Sequence, residues 1–234
     1  KKLRIEDGSA CGVYTNKGES LRSKIVIDAE GCALTLLKQM GLQPFDRSLV
    51  VSAVNGIVER ADHLEEDTVE VYLGQSYAPG FYAWIMPKRD GSAKVGLATR
   101  HGNPKEHLTH FLSAHPVARK KIKFSDVKNL SYHLIPLGGP LPITYQNGFL
   151  AVGDAASQVK PTTGGGVIMG LTCARIAGET AAHAVQCNDP SEDFLSRYQK
   201  GWQQEIGFDM AVMRQLRMLL NRLSDKKIDQ IIRF

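Results

Sequence analysis

One stretch carries the clearest chemistry in this chain. In GFLAVGDAASQVKPTTGGGVIMG, residues 148–170, an apolar run from Phe149 to Val152 reads as a short buried strand. It ends in Gly153-Asp154. A loop with Pro161 and Gly164-Gly165-Gly166 follows, and a helix rich in small residues begins near Val167. A helix start offers unpaired backbone N–H groups and the positive end of the helix dipole. Glycines let the backbone approach a ligand with no Cβ in the way. Asp154, just past the strand end, is placed to accept hydrogen bonds from ligand hydroxyls. Together these residues describe a cradle for a phosphorylated, ring-bearing cofactor. The bland alternative is a turn with a glycine-rich helix entry, and the ordered array is much more specific than a lone Gly-Asp.

A second candidate is Pro79 to Pro87, PGFYAWIMP. Side chains alternate along a strand, so Tyr82, Trp84 and Met86 share one face. Two amphipathic aromatics beside a methionine make a broad apolar wall, suited to a greasy substrate or a ring system. Taken alone, the segment is read more readily as ordinary core packing. Asp28-Ala29-Glu30-Gly31 is an acidic turn that serves equally as a strand-to-helix loop. In Phe208 to Leu223, Met210, Met213, Leu216, Leu219, Leu220 and Leu223 recur at helical spacing beside Arg214, Arg217 and Arg222. Packing on its own domain is the favoured reading there, and rest on an anionic membrane surface is the other. The seven histidines, His63 and His115 among them, show no ligand spacing and read as surface residues. The four cysteines have no CxxC spacing. No metal site and no disulfide framework is expected, and a reducing cytoplasm is the default compartment.

The elements that must position these residues follow from punctuation and periodicity. Gly12 to Thr15 and Lys24 to Ala29 read as two strands joined by a turn at Asn16-Lys17-Gly18. A helix from Ala33 to Met40 stops at Gly41. Leu49 to Arg60 is β-rich, with Asn55-Gly56 either a hairpin turn or a bend in one strand. Strands are expected at Thr68–Leu73, Phe81–Pro87, Ala93–Thr99 and Leu130–Pro136, and a helix from Pro104 to His115. Past Val167 the chain reads as helical, with a break near Asp189-Pro190 and another near Gly207 or Ser224-Asp225. The helix from Val167 to Val185 carries Arg175, Glu179 and His183, so it reads as a buried helix rather than a membrane span. The 234 residues are 43% hydrophobic and 23% charged, enough for a real core. A net charge of +5 with no long basic run argues against a nucleic-acid partner.

Three segments resemble one family. GFLAVGDAASQVKPTTGGGVIMG is similar to the second flavin motif of the geranylgeranyl reductases, FAD enzymes of the para-hydroxybenzoate hydroxylase-like superfamily. PGFYAWIMPK, followed by DGSAKVGLAT, resembles the family signature P-x-x-Y-x-W-x-F-P. VIDAEGCALTLLKQMGL resembles the stretch ahead of the substrate domain. The match is ordered and weakens after about Asp189. It implies a mixed α/β (α+β) fold. A partial Rossmann-like FAD-binding domain would hold residues 1–46 and 137–188. An antiparallel β-sheet substrate domain is inserted at 47–136, and a C-terminal helical region covers 189–234.

The resemblance implies an FAD-dependent reductase that saturates double bonds of geranylgeranyl chains. Gly153 and Asp154 would contact the ribityl and pyrophosphate part of FAD, with Pro161 in the same loop. Gly164, Gly165 and Gly166 would lie against the isoalloxazine. Tyr82, Trp84, Met86 and Pro87 would line the lipid pocket. The partners would be an isoprenoid lipid, a reduced donor such as ferredoxin or NAD(P)H, and a membrane surface touched peripherally. Another flavoprotein monooxygenase or electron-transfer flavoprotein is the alternative activity, and an inactive lipid-binding fragment is the non-enzymatic one. Met86 stands where the signature has Phe, a mild change. No GxGxxG occurs, so the chain is expected to be a fragment, a truncated product or a chain that needs a partner, and to bind FAD weakly alone. No residue identifies itself as the proton donor, and no cysteine here inherits a flavin-side role.

Overall fold

The computed structural model describes residues 2–61 and 64–232. Along the chain, strands β1 (Lys2–Glu6), β2 (Ser9–Tyr14), β3 (Ser20–Arg22) and β4 (Val26–Asp28) lead to helix α1 (Thr35–Gln39). Strands β5 (Val50–Val58), β6 (Glu70–Leu73), β7 (Tyr82–Pro87) and β8 (Ala93–Thr99) follow, then α2 (Pro104–Ala114) and α3 (Ala118–Lys121). After β9 (Val127–Pro136), β10 (Tyr145–Gln146) and β11 (Phe149–Ala151), the chain becomes helical. It forms α4 (Val167–Gln186), α5 (Glu192–Trp202), α6 (Phe208–Leu220) and α7 (Asp225–Ile232). Two units emerge: Lys1–Leu49 with Pro136–Met218, and Val50–Ile135 with Leu219–Phe234.

The first unit holds two small sheets. One has the order β1-β2-β3, with both pairings antiparallel. The other has the order β10-β11-β4, in which β11 runs parallel to β4 with Ala151 opposite Asp28. Its core joins Leu150 and Val152 to Met169, Cys173 and Ala177 of α4 and to Leu195, Tyr198 and Trp202 of α5. A π-helical turn, Gln203–Gly207, connects α5 to α6.

The second unit is a five-stranded sheet of order β6-β7-β8-β5-β9. Helix α2 starts as its sequence dictates. Asn103 caps it by accepting the Lys105 N–H at 2.9 Å, and Pro104 fills the first turn. Its Leu108, Phe111 and Leu112 pack with Val54, Ala83, Ile85, Val95 and Leu97 of the sheet. Strand β5 runs unbroken through Asn55-Gly56, which face Gly96 and Val95 of β8, so the bend reading holds and the hairpin does not.

Three expectations change, and one strand, Lys2–Glu6, had no counterpart in the sequence reading. The hairpin partner of β2 is Ser20–Arg22, whereas Val26–Asp28 leaves that sheet to pair with β11. Lys2–Glu6, polar in sequence, is a strand paired with β2. Helix α4 buries Met169, Cys173, Ile176 and Ala177 but leaves Val167, Ile168 and Leu171 more than 60% exposed, so only one face is buried. Helix α6 ends at Leu220 and buries Met210 and Arg217, while Leu216 and Leu219 of the expected packing stripe are exposed. His63 lies outside the described residues.

Candidate functional site

Strand β11 delivers its last ladder bond through Val152, whose N–H donates to the Asp28 carbonyl at 2.9 Å. The chain then turns at Gly153, with φ +64°, into the short 3-10 helix Gly153–Ala156. Only glycine takes that conformation without strain. The turn is closed by two bonds from one residue. The Gln158 N–H donates to the Gly153 carbonyl at 2.9 Å, and the Gly153 N–H donates to Gln158 Oε1 at 2.9 Å. Gln158 is fully buried. Its Nε2 donates to the Tyr198 hydroxyl at 2.8 Å, and that hydroxyl donates to the Ala151 carbonyl at 2.8 Å.

Asp154 stands half-buried on this turn. Burial pushes its carboxyl above the usual aspartate range. A Cβ on Gly166 would come 3.1 Å from Asp154 Oδ1, so the glycine loop passes close to the carboxylate. Helix α4 starts at that loop with no side-chain cap and no acidic residue in its first turn. Its first N–H groups therefore lack a capping partner and favour negative charge. Pro161 is buried in the loop, and Gly164 and Gly165 close it through bonds to the Lys160 backbone. Cys32 lies near enough to feel the Asp154 charge, and burial first, that charge second, push its thiol up to about 11. It is a protonated thiol at neutral pH. The arrangement offers one carboxylate acceptor, several backbone donors and exposed Val167 and Ile168 beside them.

In the second unit, β7 alternates as its sequence predicts. Ala83 and Ile85 are fully buried under α2, while Tyr82, Trp84, Met86 and Pro87 are half-buried or exposed. Tyr82, Trp84 and Met86 therefore lie outside the core of this unit, on the opposite face of the sheet. Cross-strand pairs extend that face: Leu73 lies opposite Tyr82, and Val71 opposite Trp84. Both are about half exposed. Gly96 faces Trp84 from β8. A Cβ there would fall 2.3 Å from Trp84 Cζ2 and 2.8 Å from the Val54 carbonyl oxygen, so the indole lies directly over β8. Tyr82 stacks on Phe81 at 4.2 Å and meets Trp84 edge-on at 5.9 Å. The result is an apolar wall, rigid at its aromatic centre and open to solvent at its β6 edge.

The remaining candidates resolve simply. Asp28 accepts the Glu30 N–H, and Glu30 accepts the Leu36 N–H, so the acidic turn organises the entry to α1. His115 is no surface residue. Its ring meets Tyr72, Tyr77 and Phe111 at 4.9–5.2 Å. Among the described residues, no group of three His, Cys, Asp or Glu side chains could hold a metal ion, and no helix is long and apolar enough to cross a membrane. The sequence reading missed Gln158, Tyr198, Val71, Leu73 and Gly96. The one available signal was Gln158 itself, a large amide inside a run of small residues.

The comparisons with known proteins concern both units. A family model of the geranylgeranyl reductase catalytic domain matches residues 50–128, the segment that contains the wall. Digeranylgeranylglycerophospholipid reductase 2 of Methanothermobacter thermautotrophicus is 33% identical over 99% of this chain and 60% of its own length. Digeranylgeranylglycerophospholipid reductase of Methanocaldococcus jannaschii is 32% identical over 90% and 54%. A geranylgeranyl bacteriochlorophyll reductase-like structure from Thermoplasma acidophilum superposes with TM-score 0.86 at 26% identity, over 98% of this chain and 59% of that one. A flavin-dependent brominase shares the fold alone, with TM-score 0.70 at 16% identity over the whole chain and 63% of its own length. This chain thus spans about 60% of the curated relatives it matches. The catalytic-domain match on the aromatic wall, and relatives of one kind that align along nearly the whole chain, lead to one conclusion: this chain is similar in sequence and fold to the geranylgeranyl reductases.

Proposed function

We propose that this chain is the larger part of a flavin-dependent reductase that saturates carbon–carbon double bonds in the geranylgeranyl chains of a phospholipid. The observation that carries this reading is the wall on β6 and β7. Val71, Leu73 and Met86 are 40–55% exposed around Tyr82 and Trp84, a surface that water solvates poorly and a prenyl chain covers well.

The likeness to geranylgeranyl reductases implies a flavin, and the first unit fits one. The uncapped start of α4 and its glycine approach suit the electron-rich edge of the ring. Asp154 suits the hydroxyls of the polyol, Val167 and Ile168 offer apolar contact, and Pro161 shapes the loop. We assign FAD as the form bound, with Gly153, Asp154, Pro161, Gly164, Gly165 and Gly166 as its contacts. When bound and reduced, the flavin supplies a hydride to one alkene carbon, and a proton must reach the other. Tyr82, Trp84, Met86 and Pro87 would hold the chain extended and exclude water from it. A ferredoxin or NAD(P)H would renew the reduced flavin.

The test is incubation with reduced FAD and a geranylgeranyl phospholipid, read by mass spectrometry. Each saturated bond adds the mass of two hydrogens, and an unchanged double-bond count sinks the reading. Contact with a lipid surface is part of the same proposal. Phe208, Val212 and Leu216 repeat every four residues on α6 and are 45–80% exposed. Flotation with anionic vesicles should be lost in Phe208→Ser, and equal flotation removes this contact.

A further inference from the structure

The turn that presents Asp154 depends on a residue distant in sequence. Beyond Val152 the strand ladder is finished, yet the Gly153 N–H needs an acceptor. Gln158 Oε1 supplies it, and the other end of that amide is oriented by the Tyr198 hydroxyl. Tyr198 sits on α5, 40 residues further along the chain, and is fully buried. Its hydroxyl is used twice, accepting from Gln158 and donating to the Ala151 carbonyl. A hydroxyl that both accepts and donates fixes the direction of the amide: Nε2 must face Tyr198, so Oε1 must face Gly153.

Helix α5 is itself anchored to the same sheet. Gln199 Oε1 accepts the Thr144 N–H at 3.0 Å, Gln199 Nε2 donates to the Pro142 carbonyl at 2.7 Å, and Trp202 Nε1 donates to Thr144 Oγ1 at 3.1 Å. The Ala151 N–H donates to the Thr144 carbonyl at 2.8 Å. A continuous path of hydrogen bonds therefore runs from α5 through Tyr198 and Gln158 to Gly153, one residue before Asp154. All of it lies in the first unit.

We propose that Gln158 and Tyr198 are positioning residues, holding the Gly153-Asp154 turn in the conformation that binds the flavin. This rests on the reading of Asp154 as a flavin contact. A Phe at 198 keeps the ring's volume but removes the hydroxyl, freeing the Gln158 amide to rotate away from Gly153. A Leu at 158 keeps the side-chain bulk and removes both bonds. A merely structural network would lower the melting temperature and leave the folded site unchanged. A positioning network alters the site in protein that is still folded.

The experiment compares Tyr198→Phe, Gln158→Leu and the double variant with wild type, at a temperature where circular dichroism shows each fully folded. In the holoprotein, flavin affinity from fluorescence quenching is expected to fall about tenfold in each single variant, and no further in the double, because both break one path. In the ligand-free 234-residue chain, the Asp154 carboxyl, followed by 13C NMR, is expected to titrate closer to the ordinary aspartate value in Tyr198→Phe. If a variant fails to fold, Gln158→Asn, which keeps the amide one methylene short, takes its place. Unchanged flavin affinity and an unchanged Asp154 titration in the folded variants overturn the proposal, and so do additive losses in the double. Asp154→Ala is the control that separates the two readings. If it leaves flavin affinity untouched, the assignment of Asp154 fails; if it weakens binding while the other variants do not, only the positioning role fails.

Discussion

The Gly153–Gly166 region and the β6–β7 face are built on opposite principles. The first is a polar site specified by direction. The buried Gln158 amide and Tyr198 hydroxyl each have defined partners, and the reactive-looking group, Asp154, is held by backbone geometry set from behind. The second is an apolar site specified by shape. Its centre is an indole over Gly96 and a stacked Phe81–Tyr82 pair, with aliphatic neighbours around them. A charged, hydroxyl-rich cofactor needs donors and acceptors at fixed points, because an unmatched polar group costs free energy. A flexible prenyl chain needs only a surface of the right width, since the hydrophobic effect is non-directional. One region should be sensitive to single hydrogen bonds, and the other to volume.

The largest effect should come from Phe111→Ala. Phe111 is fully buried, with edge contacts to Tyr72 and Tyr77. Its truncation should cost roughly 3–5 kcal/mol. Amide exchange should accelerate across β7 and β8 while α4 and α5 keep their protection. Equal loss in all four elements would show that the two regions share one cooperative fold. Next in size is Gly96→Ala, a single methyl driven into the Trp84 ring and the Val54 carbonyl. Overpacking of this kind costs about 1–3 kcal/mol. Adding Trp84→Ala should recover part of it, because the indole is then gone and only the backbone contact remains. Strict additivity of the two stability changes would break the picture of a wall defined by shape.

The same contrast explains what the sequence revealed. The strand–turn–helix array at Phe149, Gly153 and Val167 and the alternation in β7 are local signals, and both appear where they were read. Helix α2 was equally legible from Asn103 and Pro104. What stayed hidden depends on register or on distant partners. Strand β3 is three exposed residues, Ser20–Arg22, with no apolar pattern of its own; only its pairing to β2 makes it a strand. Val71 and Leu73 join the wall because β6 pairs with β7 in that register and no other. His115 looked like a surface residue because Tyr72 and Tyr77, which surround it, come from another part of the chain. Tyr198 is invisible for the same reason.

Asp154→Asn tests the polar side with a smaller effect. Burial raises the folded pKa of Asp154 above its unfolded value, so this group's favourable contribution is present below about pH 3.9 and is lost as pH rises through the folded value. At neutral pH the carboxylate therefore weakens the ligand-free fold. An amide of the same shape should raise the melting temperature slightly at pH 7 and lower flavin affinity about tenfold, close to 1.4 kcal/mol. A variant that loses stability instead would mean that Asp154 is there for the fold.

His115 carries the smallest and most diagnostic prediction, because it titrates in the opposite sense. Burial holds its pKa below the ordinary value. Its Nδ1 accepts the N–H groups of Val117 and Ala118 at 3.3 and 3.2 Å, which requires a lone pair on that nitrogen. The groups around it are the Tyr72 ring, whose hydroxyl is engaged by Glu70 beside Lys121, the Tyr77 ring stacked on His110, and Phe111. None of them is an anion in contact with the imidazole. With the folded pKa below the unfolded value of about 6.5, the unfolded chain takes the proton first. Stability from this group is therefore complete above that pH and is lost as pH falls through the folded value. Acidification from pH 7.5 to 5 should weaken the second unit by less than about 1 kcal/mol, the worth of a neutral hydrogen bond, because the partly exposed ring is screened by solvent. His115→Asn, whose Oδ1 can accept the same N–H groups but does not titrate, should flatten that slope in urea denaturation followed by amide exchange in β7 and β8. Over the same range Asp154 gives the first unit no such loss, since its protonation favours the fold. A slope that survives in His115→Asn, or that appears equally in α4 and α5, would remove the opposed acid responses that distinguish the two regions.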